Sequence, residues 1–332
     1  MQPFACGNCS SLTFFGDLTC LACGSDLAFD RDGRRLVVLG EDAVLPCANR
    51  ELIGCDWAAP APGALCGSCA LTRTRPADGR DADLAAWRVV EAAKRHLLVD
   101  LDTLGWTLAG APAGDTTLRF DLLSSAYEPI VTGRDGDVIT VDLAEGFDPH
   151  REALRVHLGE PYRTVLGHLR HEVGHWFQDM LRGLGRLDGY AAVFGDDSAD
   201  YAAALRAHYD GTDDGSWQEE HVSHYAAAHP SEDWAETFAH YLHIRAVLDT
   251  AGAWGIAVAG PDAELGIASK VALSSDPREP ARTVDELVQR WLPLTFALNA
   301  VNRAMGRDDL YPFVLVPPVL HKLEVVHRAL TR

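Results

Sequence analysis

Eight cysteines fall within the first 69 of the chain's 332 residues: Cys6, Cys9, Cys20, Cys23, Cys47, Cys55, Cys66 and Cys69. The first four form CGNC and CLAC, separated by ten residues. Each Cys-x-x-Cys turn aims two thiolates at one point, and two such turns complete the tetrahedron that zinc prefers. The competing reading, a disulfide framework, needs an oxidising compartment. The N-terminus MQPFACGNCS has no basic stretch followed by an apolar run that would direct export. The expectation is therefore zinc, in a soluble cytoplasmic protein. The second set of four contains one Cys-x-x-Cys and looser spacing. It predicts a second four-cysteine site, with buried free thiols or a cysteine lent to another metal as the competing readings.

Residues 1–75 carry six Arg and no Lys against eight acids, too acidic a balance for a ribbon that grips nucleic acid. They also hold too few large apolar side chains for a core of their own, so metal binding must supply much of the folding free energy. The whole chain has a formal net charge of -19, with 48 acids against 29 Lys and Arg. That sign disfavours phosphate backbones and anionic lipid, and no run of about 18 apolar residues offers a membrane span. Residues 76–332 contribute -17 of the total, so a basic or neutral protein segment is a better expected substrate for this part than an acidic one.

The stretch TRTRPADGRDAD at 72–83, with Pro76 and Gly79, reads as a linker between a zinc-ribbon domain at 1–75 and a main domain at 76–332. Apolar residues at helical spacing from Leu84 to Leu104, closed by Gly105, predict a long amphipathic helix. TLRFDLL at 117–123 and DVITVDL at 137–143, the latter after the turn GRDG, predict paired antiparallel strands. The second could be a plain core strand or could accept an extended peptide along its edge. The remainder reads as helical, with starts at Pro161, Ser231 and Thr283, stops at Gly183 and Gly252, and breaks at Pro293, Pro317 and Pro318. The fold class is α+β: zinc ribbons, then a mostly helical domain with a small antiparallel sheet.

Eleven of the 14 histidines lie between His150 and His243. Within a helical pattern at 161–183, His171 and His175 stand four residues apart, one above the other, with Glu172 beside them. This His-Glu-x-x-His arrangement offers two imidazole nitrogens to one ion and a carboxylate to the same cleft. A catalytic zinc needs one more protein ligand and an open position. The residue six after His175 is Leu181, which excludes a third histidine there. The helix SEDWAETFAHYLHIRAVL is the remaining source. Glu232 and Asp233 have a helix-cap explanation behind Ser231, whereas Glu236 lies a turn deeper in an apolar stretch. Glu236 is thus the expected third ligand, ahead of Asp233, Asp179 and Glu232. His240 and Asp179 are candidates for hydrogen bonding to ligands. Tyr225 is the favoured oxyanion donor, with His224 and His229 as alternatives.

The motifs CGNC and CLAC, CDW with LCGSC, YRTVLGHLRHEVGHWFQD, FGDDSADYAAAL and HPSEDWAETFAHYLH, in this order, resemble the bacterial zinc-binding metallopeptidases that carry an N-terminal zinc ribbon. The resemblance covers nearly the whole chain. It implies a gluzincin-like zincin domain in which His171, His175 and Glu236 bind zinc and Glu172 is the base. Better-known gluzincins often place Asp four residues after the third ligand, and with Glu236 in that role this chain would have His240.

The reading that follows is a zinc-dependent peptidase with one catalytic and one or two structural zinc ions. Its zinc-activated water would be deprotonated by Glu172 for attack on a peptide carbonyl. Its substrate would be a peptide or protein, and the ribbon could dock a protein partner. Two alternatives remain: a zinc-ribbon interaction module on a catalytically silent zincin scaffold, or a zinc amidase acting on an isopeptide or other non-peptide amide.

Overall fold

The computed structural model describes residues 1–40, 44–108, 118–158, 160, 162–211, 214–260, 275–278 and 281–331. They form two compact units, Gln2–Glu172 and Val173–Arg332 with Met1. Pro161 and Thr117, where a helix start and a strand start were expected, lie outside the described residues.

The first unit opens with three two-stranded antiparallel ribbons. β1 (Phe4–Ala5) pairs with β2 (Leu12–Thr13), β3 (Leu27–Asp30) with β4 (Arg35–Val38), and β5 (Leu45–Pro46) with β6 (Ala58–Ala59). The short helix α1 (Arg50–Ile53) lies between β5 and β6. The first two Cys-x-x-Cys knuckles close identically. Cys6 N–H donates to Ser11 O at 2.9 Å and Cys20 N–H to Ser25 O at 2.8 Å. The residue after each second cysteine is left-handed, Ser10 at φ 61° and Gly24 at φ 75°, which lets a tight turn direct both thiols to one side.

The expected linker is partly structured. Its first residues form β7 (Thr72–Thr74), followed by α2 (Asp81–Thr103), β8 (Arg119–Leu123), β9 (Gly133–Asp135) and β10 (Val138–Asp142). The four strands make one mixed sheet in the order β7-β8-β10-β9. β8 and β10 pair parallel, in register from Val138 opposite Arg119 to Asp142 opposite Leu123, and β9 pairs antiparallel with β10. The expected antiparallel pairing of these two runs is thereby corrected, and so is the expectation that DVITVDL could accept a peptide along its edge. β10 is an inner strand, and β9 and β7 are the edges. Alternation of side chains reports which face is buried but not chain direction. β7 is polar and joins the sheet through backbone pairing with β8, reinforced by the Arg73–Asp121 ion pair.

α2 supplies the ribbons with a floor. Trp87, Val90, Leu97, Leu98 and Leu101 are fully buried. The same helix buries an ion pair, Lys94 Nζ to Glu91 Oε1 at 2.7 Å, with Trp87 Nε1 donating to the same oxygen at 3.2 Å. From the ribbon side, Arg31 makes a half-buried, two-pronged contact with Asp102 at 2.6 and 2.7 Å, and Asp56 meets Arg95 at 2.6 Å in a buried pair. Phe15 packs edge-on against His96, with ring centroids 4.9 Å apart. Burial and the neighbouring Arg95 push His96 down to about 4. Beyond the sheet come α3 (Asp148–Leu158) and α4 (Val165–Gly183), and the division between the units falls inside α4.

The second unit is helical: α5 (Tyr190–Phe194), α6 (Tyr201–Asp210), α7 (Pro230–Ala253), α8 (Val284–Ala304) and α9 (Pro317–Thr331). α7 is capped by His229, whose Nδ1 accepts from Ser231 N–H at 3.1 Å, with Pro230 at the first helical position. The expected cap at Ser231 is corrected by two residues. Thr283 caps α8 as expected, accepting from Glu286 N–H at 3.2 Å, but α8 runs through Pro293 instead of breaking there. α4 and α7 pack closely at Gly174. A Cβ placed there would lie 3.1 Å from Phe238 and 3.2 Å from the Ala235 backbone, and Trp234 Nε1 donates to Gly174 O at 2.8 Å. Trp234, Phe238 and Tyr241 of α7 and Trp291 of α8 fill the surrounding core. Among the described residues, no helix is long and apolar enough to cross a membrane.

Candidate functional site

Two of the three candidate metal groups among the described residues are all sulfur: Cys6, Cys9, Cys20 and Cys23, and Cys47, Cys55, Cys66 and Cys69. Zinc–sulfur bonds of about 2.3 Å in a tetrahedron put thiolates about 3.8 Å apart. The structure gives 3.7 Å for Cys6–Cys23 and 3.6 Å for Cys9–Cys20. It gives 3.6 Å for Cys55–Cys66 and 3.7 Å for Cys55–Cys69. These separations fit four thiolates around an ion and are too long for S–S bonds, which are about 2.05 Å. Cys66 and Cys69 backbone N–H groups donate to Cys47 and Cys66 sulfurs at 3.3 and 3.4 Å, the kind of contact that steadies a thiolate. The groups differ in exposure. Cys9 and Cys23 of the first are exposed, whereas all four of the second are buried. Hydrogen bonds to Ser25 draw Cys23 down to about 6.

The third group is His171, His175 and Glu232, with one ligand atom from each lying within 4.8 Å of the others. The helical rise places the two imidazoles on one face of α4, one turn apart. Glu232 comes from the first turn of α7 and is fully buried; its Oε2 lies 3.4 Å from His175 Nε2. Metal–ligand bonds of about 2.1 Å at tetrahedral angles separate donors by about 3.4 Å, so the donor set and its spacing suit zinc. Glu232 lies three residues before Ala235, whose backbone packs against Gly174, the residue before His175.

Glu236, the expected third ligand, lies one turn farther along α7, half-buried, and accepts a hydrogen bond from Ser223 Oγ at 2.7 Å. The apolar neighbours Trp234, Ala235 and Phe238 belong to the contact with Gly174 and to the core, so they did not mark Glu236 as the buried acid. The residue four after Glu232 is Glu236, itself an acid. His240 pairs with the Tyr311 hydroxyl through Nδ1 at 2.8 Å. Asp233 is bound by Lys322 at 2.7 Å, and burial pushes it up to about 7. Asp179 is exposed, 3.9 Å from Arg182. Of the oxyanion candidates, His229 caps α7, and His224 stacks on His208 with ring centroids 4.1 Å apart. Tyr225 is half-buried near Glu232 and hydrogen-bonded with Tyr201; desolvation pushes its hydroxyl well above the ordinary phenol range, leaving a neutral O–H.

Three residues of this neighbourhood carry no strong sequence signal. Tyr201, from the FGDDSADYAAAL stretch, donates to Glu232 Oε1 at 2.5 Å and holds the carboxylate that α7 presents. His168 stands one turn before Glu172 on α4, with Nε2 3.3 Å from Glu172 Oε1 and Nδ1 2.6 Å from Glu145 Oε2. Burial opposes the charge on His168, but the carboxylates of Glu145 and Glu172 outweigh it and push His168 up to about 9. Glu145 is buried, yet His168, Thr132 and Arg163 draw it down to about 2. The four-residue spacing of His168 to Glu172 was readable in the sequence; the contribution of Glu145 was not.

Comparison with known proteins agrees with this organisation. A family model described as "Putative zinc-binding metallo-peptidase" matches residues 83–329, and a zinc-ribbon domain model matches residues 3–80. The chain is 46% identical over 333 residues to uncharacterized proteins of Mycobacterium bovis and of two Mycobacterium tuberculosis strains, covering 98% of this chain and 94% of each relative. No solved structure matches.

Proposed function

From the chain's membership of the zinc-binding metallopeptidase family with an N-terminal zinc ribbon, we propose that it is a zinc-dependent peptidase that hydrolyses amide bonds of peptides or proteins. The observation that carries this reading is the convergence of His171, His175 and Glu232, with Glu172 next to His171 in the chain. His171, His175 and Glu232 would hold a catalytic zinc, and the two cysteine groups would hold two structural ones. When bound, zinc supplies Lewis-acid activation of a carbonyl and of water. Glu172 then takes a proton from the attacking water and passes it to the departing nitrogen. Tyr201 fixes the Glu232 carboxylate by its hydrogen bond. Tyr225, kept neutral, is the proposed donor to the oxygen that gains charge during attack. The reduced thiols that two cysteine sites require suit a cytoplasmic location, and the acidity of residues 76–332 suits basic or neutral substrate segments.

The test is cleavage of dye-quenched casein by the purified protein and by Glu172→Gln. The reading predicts that Glu172→Gln loses at least about 100-fold in kcat while keeping three zinc ions per chain. Unchanged cleavage would overturn Glu172 as base. A Lys-rich peptide should be cut faster than its Glu-rich counterpart, and the opposite order would overturn the charge argument.

A further inference from the structure

Glu172 has a task that depends on where each of its two oxygens points. A glutamate side chain has three rotatable bonds, so a base left to itself samples many poses that cannot take the proton. In this chain one oxygen is already engaged. Oε1 lies 3.3 Å from Nε2 of His168, one turn earlier on the same helix. The far nitrogen of that ring, Nδ1, lies 2.6 Å from Glu145 Oε2. Glu145 is buried in the tight turn Leu143–Gly146 that follows β10. Its other oxygen accepts from Thr132 Oγ1 at 2.7 Å, and Arg163 stands 3.7 Å from Oε2. The imidazole is thus clamped between two carboxylates, one anchored in the sheet-side turn and one belonging to the base. A surface histidine serving only to pin a helix would need one partner; here both nitrogens are directed at acids.

We propose that His168, anchored by Glu145, is a positioning residue for the general base, holding Glu172 Oε1 so that Oε2 is the oxygen that exchanges the proton. The inference rests on the peptidase reading of the site. It assigns His168 and Glu145 no contact with substrate or metal, and so predicts an effect on kcat without one on KM or zinc content.

Steady-state cleavage of dye-quenched casein, with zinc content and thermal midpoint measured on the same samples, tests it. His168→Ala should lower kcat by about 30-fold, with KM within about twofold and zinc unchanged. His168→Gln, whose amide nitrogen can reach Glu172, should recover most of that loss, and it replaces the alanine variant if the latter does not fold. Glu145→Gln should lower kcat by a smaller factor. Adding His168→Ala to Glu172→Gln should cost nothing further, because His168 acts through Glu172. Wild-type kcat in His168→Ala, or a double variant that loses the full product of the two single effects, would overturn the positioning role while leaving the peptidase reading intact. A wild-type protein that cleaves no casein would overturn both.

Discussion

The two four-cysteine groups share ligand chemistry and sulfur spacing but differ in what surrounds them. The first is a pair of knuckles with Cys9 and Cys23 exposed and Cys23 drawn down to about 6 by Ser25. The second is buried at all four cysteines, with Cys47 N–H donating to Trp57 O and Cys55 next to the Asp56 that pairs with Arg95 and ties the ribbon to α2. The first organises a surface loop pair, and the second joins the ribbon to α2. Losing the metal should therefore have unequal consequences.

The largest expected effect is at the buried site. Cys66→Ser should leave little soluble folded protein, because an uncompensated cluster of buried thiols replaces a metal bond network worth several kcal/mol. Cys9→Ser should fold, bind about one zinc fewer and retain far-UV circular dichroism; equal behaviour of the two variants would remove the distinction. Next comes Lys94→Met in the floor beneath the ribbon. It leaves Glu91 charged in a fully buried setting and should cost about 3–5 kcal/mol in urea unfolding; a loss below about 1 kcal/mol would show that the pair is not the internal anchor. Gly174→Ala pushes a methyl against Phe238 and Ala235, and should cost about 1–3 kcal/mol and lower zinc content at the histidine site without touching the cysteine sites.

The smallest effect is a pH dependence where Phe15, between the first two knuckles in the chain, packs on His96. His96 is lowered to about 4 in the folded protein, so the unfolded chain binds the extra proton first as pH falls. The stability it contributes is complete above about 6.5 and declines as pH falls toward 4, by roughly 1 kcal/mol given partial exposure. His96→Gln should flatten that slope relative to wild type in denaturation at pH 7 and 5; parallel slopes would contradict the assignment.

What could be read in the sequence follows the range of each interaction. The knuckles and the His171–Glu172–His175 triplet are local patterns, set by a turn or by one helical period, and the structure contains them at the same residues. α2 and the start of α8 at Thr283 were legible for the same reason. The direction of β8 and β10 was not, because alternation is the same for parallel and antiparallel pairs. β7 looked like linker because its pairing uses backbone groups and one ion pair, leaving no apolar signature. Which acid of α7 stands beside His175 depends on how α7 packs against Gly174, a contact about 60 residues apart in the chain that no local window contains. First-turn acids ordinarily serve the helix dipole, and that ordinary explanation concealed a buried carboxylate.

The most direct measurement is zinc per chain in Glu232→Ala and Glu236→Ala, with wild type as reference. The account predicts three zinc ions in wild type and in Glu236→Ala, and two in Glu232→Ala with the cysteine sites still loaded. Loss of one zinc from Glu236→Ala with full retention in Glu232→Ala would contradict the metal group assigned here.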